Sequence, residues 1–588
     1  MAPCRFLCAL ALAASSAAAP NLLFIAVDDL RPQLGVYGQP TISPRIDGLA
    51  RRGVAFARAY AQVSVCSPSR TSFLTGARPD TTRLYTIGPY FRSTMQPPSA
   101  AAALVTLPQA LKARGYNTTS TGKIWHPGTS SGGDAAWGGG AVGGDDMPFS
   151  FSRPPGAAAA TDARLLAWEC DAWGNSTGQS AASAGVPGGR GCVTSPACVA
   201  CLVAHNGTSG NSWVATPCSD ECYVDALVAD HAAAELREHA AAQLPFAMFV
   251  GFKRPHLGFQ VPQHALDAYP VDVPIAAHRA PPPGMPSVGW YENGEIIHPD
   301  TRAFVDHSNA TFPGMLADVK HAELRRAYYA CVSWLDSQVG RVLDALDATG
   351  LADSTWVTFV GDHGWSLGEH GNWAKQALFE HAVRVPLIVA PPAGAPGFRR
   401  GELVGADEAF VEALDLFPTL ADAGAFDLAG SVPAGQLAGR SLLPLLRARA
   451  PRPDGAAARS QIVRADRNCT PPNATQRAAH PDDSDPPALL PERAPGAAAP
   501  PPCLSGVSLR VNGFRYTEWL SYSYDGAAVG PNFTDVRGVE LYDHRDDDAA
   551  APAVYDFDAD ELVNVADDAA FAGVRAQLAQ RLREEWGR

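Results

Sequence analysis

The 588-residue chain predicts an α/β core followed by a smaller C-terminal sheet, and three features of the sequence carry that expectation. Apolar runs that end in glycine, proline or carboxylates recur as "NLLFIAVDDL" from Asn21, "PFAMFVGF" at 245–252, "STWVTFVGDHG" at 354–364 and "VPLIVAPP" at 385–392. Such runs lack the alternation of half-exposed strands, so they read as strands buried on both faces that deliver polar groups to a crevice at their carboxyl ends. Between them, "LPQALKARGY" and the stretch from Glu323 to Gly350 have helical spacing and crossover length. Near the C-terminus, "VSLRVNGFRYTEWLSYSYD" has strand composition around an Asn-Gly turn, "GVELYDHRDD" adds a further strand, and "FAGVRAQLAQRLREEW" closes with a short helix.

The length suits a large domain plus a small one. Residues 1–19 carry one positive charge at Arg5, an apolar run and a small-residue end, the pattern of a cleaved signal peptide. No later stretch has the roughly 20 apolar residues of a membrane span. The expected organisation is a large α/β domain over 20–450, a Pro-rich linker or loop over 451–502, and a small α+β domain over 503–588. Within the first domain, Cys170 to Cys222 holds six cysteines among many Gly, Ser and Pro residues and reads as a stapled insertion. A secretory route, ending in the lysosome or outside the cell, fits these cysteines and seven N-x-[ST] sites, at Asn117, Asn175, Asn206, Asn309, Asn468, Asn473 and Asn532. Ten cysteines follow the leader, and with Cys66 set aside nine remain, so at least one more thiol stays outside an intrachain pair. A net charge of −14 argues against a nucleic-acid partner, which needs a broad basic face. An anionic small substrate remains open, because distant charges are screened over roughly 8 to 10 Å.

The chemistry concentrates after the strand-like runs. Asp28 and Asp29 are adjacent carboxylates: a turn or helix cap is one reading, a cation site the other, since two neighbouring buried carboxylates repel unless neutralised. Asp362 and His363 end a second run, and hard carboxylate oxygens from two strands suit Ca²⁺ or Mg²⁺. Arg70 lies four residues after Cys66, where a helix beginning near Pro68 turns its side chain back toward an anion-favouring N-terminus. Lys123 with His126 in "TGKIWHPG", His256 in "GFKRPHLGF" and Lys375 in "GNWAKQALF" repeat one theme, cations or imidazoles beside glycine turns after strand candidates. Singly each fits packing or surface; together they suggest an anion clamp with proton-transfer groups. For Cys66, a disulfide is the ordinary expectation in a secreted chain. Thiolate chemistry is opposed by the nearby carboxylates, and zinc by the lack of a neighbouring Cys-x-x-Cys.

These segments resemble the type I sulfatases, in particular the iduronate-2-sulfatase branch. "CSPSR" followed by "TSFLTG" is similar to the Cys-x-Pro-x-Arg signature that a dedicated formylglycine-generating enzyme oxidises, and "FIAVDDLRPQLGVYG", "TGKIWHPG", "GFKRPHLGF", "GDHGWSLGEHGNWAKQALFEHAVRVPLIV" and "GVELYDH" are similar to segments of that branch. The likeness spans roughly 20–450 and 505–566. It implies an alkaline-phosphatase-like fold, with a large mixed sheet flanked by helices and a smaller antiparallel sheet. It also implies one Ca²⁺ held by Asp28, Asp29, Asp362, His363 and modified Cys66, with Arg70 holding position 66 and Lys123, His126, His256 and Lys375 around the sulfate.

In such enzymes the hydrated aldehyde at the cysteine position attacks sulfur, and its second hydroxyl later expels sulfate. The resemblance places His256 or Lys375 at the departing sugar oxygen and His126 at the proton lost when sulfate leaves. The implied substrate is a sulfated saccharide, with a terminal 2-O-sulfated uronate foremost. The rivals are a sulfatase of another sulfated polysaccharide or monoester, a phosphatase or phosphonate hydrolase on the same fold, and a glycan-binding protein without turnover. The insertion and the Pro-rich stretch depart from the family pattern and bear on sugar specificity.

Overall fold

The computed structural model describes residues 19–587 except 88–89, 95–103, 127–145, 147–148, 153–195, 208–209, 292–293, 307, 310, 313, 425–429, 448–456, 465–502, 524–529, 550–555 and 558. The leader, Cys170 and Cys192 of the insertion, and most of the Pro-rich stretch therefore lie outside the described residues.

The large sheet contains β1 (Asn21–Val27), β2 (Val54–Phe56), β3 (Asn117–Gly122), β4 (Phe246–Phe252), β5 (Thr355–Gly361), β6 (Leu387–Ala390) and β7 (Glu402–Val404), in the order β7-β2-β6-β5-β1-β4-β3. The run β5-β1-β4-β3 is parallel, whereas β6 pairs antiparallel with both β5 and β2. The sheet is therefore mixed, and the 385–392 run is a buried strand of reversed direction. Periodicity cannot register that reversal, because a strand covered on both faces is apolar whichever way it runs.

β1 is buried along its whole length. Leu23, Ile25 and Val27 join one core with Val339 and Val342 of α4 and Ala229 and Leu236 of α3, whereas Leu22, Phe24 and Ala26 join a second with Phe73 and Leu74 of α2. The helices are α1 (Pro44–Arg52), α2 (Cys66–Thr75), α3 (Val224–Ala242), α4 (His321–Ala348) and α5 (Ala572–Glu585). The two faces of the sheet are thus covered by different helices, as strand alternation requires. Helix α4 spans almost the stretch read from the sequence and is followed by Gly350 at φ +73°.

The small sheet is antiparallel: β8 (Ala458–Arg464), β9 (Leu504–Val511), β10 (Phe514–Ser523) and β11 (Gly530–Asp543), in that order. Val511 pairs with Phe514 across the expected Asn-Gly turn. β8 lies inside the stretch expected to be linker. Its seven register pairs with β9 come from tertiary contact, which its Pro- and Ala-rich flanks hide.

Cys198 is joined to Cys222 and Cys201 to Cys218, Cys503 is also disulfide-bonded, and Cys66 and Cys331 are free and buried. Among the described residues no helix is long and apolar enough to cross a membrane.

Candidate active site

The parallel register places the reactive side chains. Val27 stands opposite both Gly361 and Phe252, and Gly122 stands opposite Gly251. The residues leaving the carboxyl ends of four adjacent strands, Asp28 and Asp29, Asp362 and His363, Lys123, and the turn to His256, therefore open onto one crevice. Two glycines permit this packing: a Cβ on Gly122 would lie 1.9 Å from the Gly251 carbonyl, and one on Gly251 would lie 2.0 Å from that of Lys123.

Helix α2 is buried at all ten positions and begins at Cys66 itself, two residues before the expected Pro68. Its N-terminus faces the crevice, and Arg70 lies one turn on, over the same face. Arg70 Nε donates to Asp362 Oδ2 (2.9 Å) and Nη2 to Asp28 Oδ1 (3.0 Å), while Nη1 donates to the Lys123 and Ile124 carbonyls. Lys123 Nζ holds the other oxygen of Asp28. Burial alone would raise the Asp28 carboxyl, but Lys123 and Arg70 hold it well below the usual carboxylate range.

Cys66 Sγ lies 3.3 Å from His363 Nε2, 3.6 Å from Lys375 Nζ and 3.9 Å from Asp29 Oδ1. His363 Nδ1 is 2.8 Å from the Gly364 carbonyl, which assigns the proton to Nδ1 and leaves Nε2 as a lone pair facing Cys66 and Asp29. Burial, with Asp28 adding, pushes the Cys66 thiol well above its ordinary value. The site therefore opposes a thiolate nucleophile.

Asp29 adopts φ +57°; its N–H donates to Asp362 Oδ1 (3.0 Å), and its carbonyl accepts from Tyr328 Oη of α4 (2.8 Å). Its Oδ2 is buried and, among the described residues, accepts no hydrogen bond. Burial pushes the Asp29 carboxyl well up, and Asp28 and Asp362 push the same way while Lys375 opposes them. An orphaned carboxylate oxygen beside two more carboxylates and an imidazole lone pair fits a hard divalent cation. Asp28, Asp29, Cys66 and His256 form one group of ligand atoms close enough to share an ion, and Cys66, Asp362 and His363 form another. His256, expected at the sulfate, thus also belongs to a group of ligand atoms that could hold a cation.

Lys375 is fully buried. Its Nζ lies 3.4 Å from Asp29 Oδ1, 3.2 Å from Glu295 Oε1 and 3.5 Å from His256 Nε2, over the face of Trp365. His256 Nδ1 is 2.5 Å from the Leu257 carbonyl, so Nε2 accepts from Lys375. Burial, reinforced by Lys375, drives the His256 imidazole well below its ordinary value. His126 is buried on the segment that carries Lys123.

Asp28, Asp29, Cys66, Arg70, Lys123, His256, Asp362, His363 and Lys375, all expected at the site, are thus joined to one another by hydrogen bonds or close contacts. Glu295, Trp365 and Tyr328 were not anticipated. Trp365 sits in the motif "GDHGWSLGEHG", where its position was a usable signal, whereas Glu295 lies in a single 3-10 turn and Tyr328 on α4, with no local mark of function.

The sulfatase family profile matches residues 20–425. The chain belongs to the type I, formylglycine-dependent sulfatase family. This sulfatase is 32% identical to iduronate 2-sulfatase of Homo sapiens over 557 residues, 90% of each chain, and 30% identical to a sulfatase of Formosa agariphila over 412 residues, 68% of each. Among solved structures, a phosphonate monoester hydrolase from Silicibacter pomeroyi superposes with a TM-score of 0.63 at 21% identity, covering 96% of this sulfatase and 94% of that chain. That likeness is one of fold, and it bears out the alkaline-phosphatase-like architecture.

Proposed function

We propose that this sulfatase removes sulfate from a sulfated saccharide, with a terminal 2-O-sulfated uronate as the leading substrate. The observation that carries the reaction class is Cys66 at the buried N-terminus of α2, facing His363, Lys375 and three carboxylates instead of a disulfide partner. The uronate reading is supported by 32% identity across 90% of the human iduronate 2-sulfatase. A sulfatase of another sulfated polysaccharide or monoester is the second reading, favoured by the 30% identity to the Formosa agariphila sulfatase.

Conversion of Cys66 to formylglycine, by a formylglycine-generating enzyme in the secretory pathway, supplies a hydrated aldehyde as nucleophile in place of a thiol that the site keeps protonated. Asp28, Asp29, Asp362, His363 and position 66 would hold a Ca²⁺, which would supply charge neutralisation and Lewis acidity at the sulfate. The remaining work falls to the chain's own side chains. Arg70 fixes Asp28 and Asp362 relative to α2, so the carboxylates and position 66 move as one unit. Lys123 faces the sulfate with its charge shared with Asp28 and stabilises the non-bridging oxygens. Lys375, aimed between Cys66 and His256, delivers a proton to the departing sugar oxygen, with His256 Nε2 accepting from and orienting it. His126 takes the proton released at position 66 as sulfate leaves.

Defined 2-O-, 4-O- and 6-O-sulfated saccharides, assayed from acidic to neutral pH beside a phosphate monoester, test the proposal. Preference for the 2-O-sulfated uronate is expected. Preference for a non-uronate sugar moves the assignment to the second reading, and faster phosphate than sulfate hydrolysis overturns the reaction class.

A further inference from the structure

Lys375 sits between two residues in the left-handed region, Ala374 at φ +68° and Gln376 at φ +67°, a conformation that non-glycine residues hold only when their surroundings impose it. Four hydrogen bonds do so around Gln376 and Ala377. The Gln376 N–H donates to the Ser64 carbonyl (3.1 Å), Ser64 Oγ donates to the Ala377 carbonyl (2.7 Å), Gln376 Nε2 donates to Tyr291 Oη (3.0 Å), and Arg464 Nη1 donates to the Gln376 carbonyl. Ser64 stands two residues before Cys66, so the same ties join the segment of Lys375 to the segment of Cys66.

Arg464 is the unusual member. It belongs to β8 of the C-terminal sheet, is 1% exposed, and makes no ion pair among the described residues. Among the described residues its second nitrogen reaches only the Gly289 carbonyl (3.3 Å) and its buried Nε has no hydrogen-bond partner, while its guanidinium lies against the Tyr291 and Trp519 rings. A buried cation whose hydrogen bonds go to neutral carbonyls is costly to keep, and burial lowers its pKa to about 10 although Tyr291 and Glu540 pull the other way. An apolar side chain would fill such a place at less cost if packing were all that it did. The Gln376 carbonyl is the partner through which Arg464 reaches the site.

We infer that Arg464 is a positioning residue: by gripping the carbonyl that follows Lys375, it holds the strained 374–376 turn and so aims the Lys375 ammonium at the leaving-group oxygen. The small sheet is then part of the catalytic apparatus, contributing alignment without touching substrate. The inference rests on the role given to Lys375 above.

Leaving-group dependence separates alignment from general stability, because a misaimed proton donor harms poor leaving groups and spares good ones. Purified Arg464→Met, Lys375→Ala and the double variant are assayed on an alkyl or sugar sulfate and on an aryl sulfate of an acidic phenol, with thermal melting alongside. Arg464→Met is expected to lose about 10- to 100-fold in kcat on the alkyl ester with KM changed less than about threefold, to lose much less on the aryl ester, and to add nothing in the Lys375→Ala background. Equal loss on both esters, or the same loss with and without Lys375, overturns the inference. If Arg464→Met does not fold, Tyr291→Phe, which removes the acceptor of Gln376 Nε2, carries the same test: the ester-dependent loss is expected in smaller measure, and an unchanged ratio overturns it. A Lys375→Ala enzyme whose alkyl-to-aryl ratio matches the parent instead removes the role of Lys375 itself.

Discussion

Cys66 decides what the other nine residues can do. A serine there would receive the sulfuryl group but could not expel it, because a sulfate ester on a simple alkoxide lacks a second hydroxyl to drive the elimination. Cys66→Ser is therefore expected to give at most one turnover per site, measured as a burst of alcohol release with no steady state, at unchanged melting temperature. The cation site makes a separate prediction. Asp29 Oδ2 has no hydrogen-bond donor among the described residues, so chelation should leave Asp28, Asp29 and Asp362 mutually repelling and abolish activity, and added Ca²⁺ should restore it. Asp29→Asn should lower the bound metal below one ion per chain by elemental analysis, with at least about a 100-fold loss of kcat/KM; outer-sphere changes alone commonly cost about 10- to 100-fold. An active Asp29→Asn enzyme free of metal would contradict that assignment. At this scale the sequence was informative because polar residues directly after apolar strands have few places to go: Asp28, Asp29, Asp362 and His363 follow two strands paired in register. Glu295 escaped because its three-residue 3-10 turn is too short to show periodicity, and only folding brings it to 3.2 Å from Lys375.

Between elements, the most consequential join is the ionic one under the small sheet. Glu380, which opens a short helical turn after the Lys375 segment, accepts from Arg510 of β9 (2.8 Å) and from Arg515 of β10, and Arg515 also donates to Glu561 (2.6 Å). Burial would raise both carboxyls, but Arg510 and Arg515 hold Glu380 well below its ordinary value, and Arg515 with His544 holds Glu561 at about 2, from 4.5. A carboxyl depressed in the folded state contributes stability that is complete above its unfolded value and lost as the pH falls through its folded one. The melting temperature should accordingly hold down to about pH 4.5 and fall steeply toward pH 2, and Glu380→Gln should flatten that acid limb while costing about 3 kcal/mol at neutral pH, as breaking a buried pair does. An unchanged acid limb in Glu380→Gln would remove Glu380 from the linkage. None of these partners was legible in the sequence, because Glu380, Arg515 and Glu561 are far apart along the chain and each alone reads as a surface charge. Helix α4 was legible, since its 28 residues carry the 3.6-residue pattern throughout, whereas β8 was not, because its strand character depends on β9.

In the whole molecule, the C-terminal sheet packs directly behind the candidate active site. Trp519 and Ile462 from that sheet share one buried cluster with Val63 and Val65, just before Cys66, and with Leu378, just after the Lys375 turn. The segments that carry Cys66 and Lys375 are therefore packed against the same surface, which is how a site assembled from distant parts of 588 residues keeps a fixed geometry. The paired cysteines at 198–222 and 201–218 accord with folding in an oxidising compartment, where the proposed maturation of Cys66 would take place. That maturation is the claim on which the rest depends, and mass analysis of the proteolytic peptide containing Cys66, from protein secreted by a eukaryotic host and assayed in parallel for sulfate release, tests it most directly. The predicted result is formylglycine at position 66 in proportion to specific activity across preparations; full sulfate-ester turnover from protein whose Cys66 peptide is entirely an unmodified thiol would contradict the account.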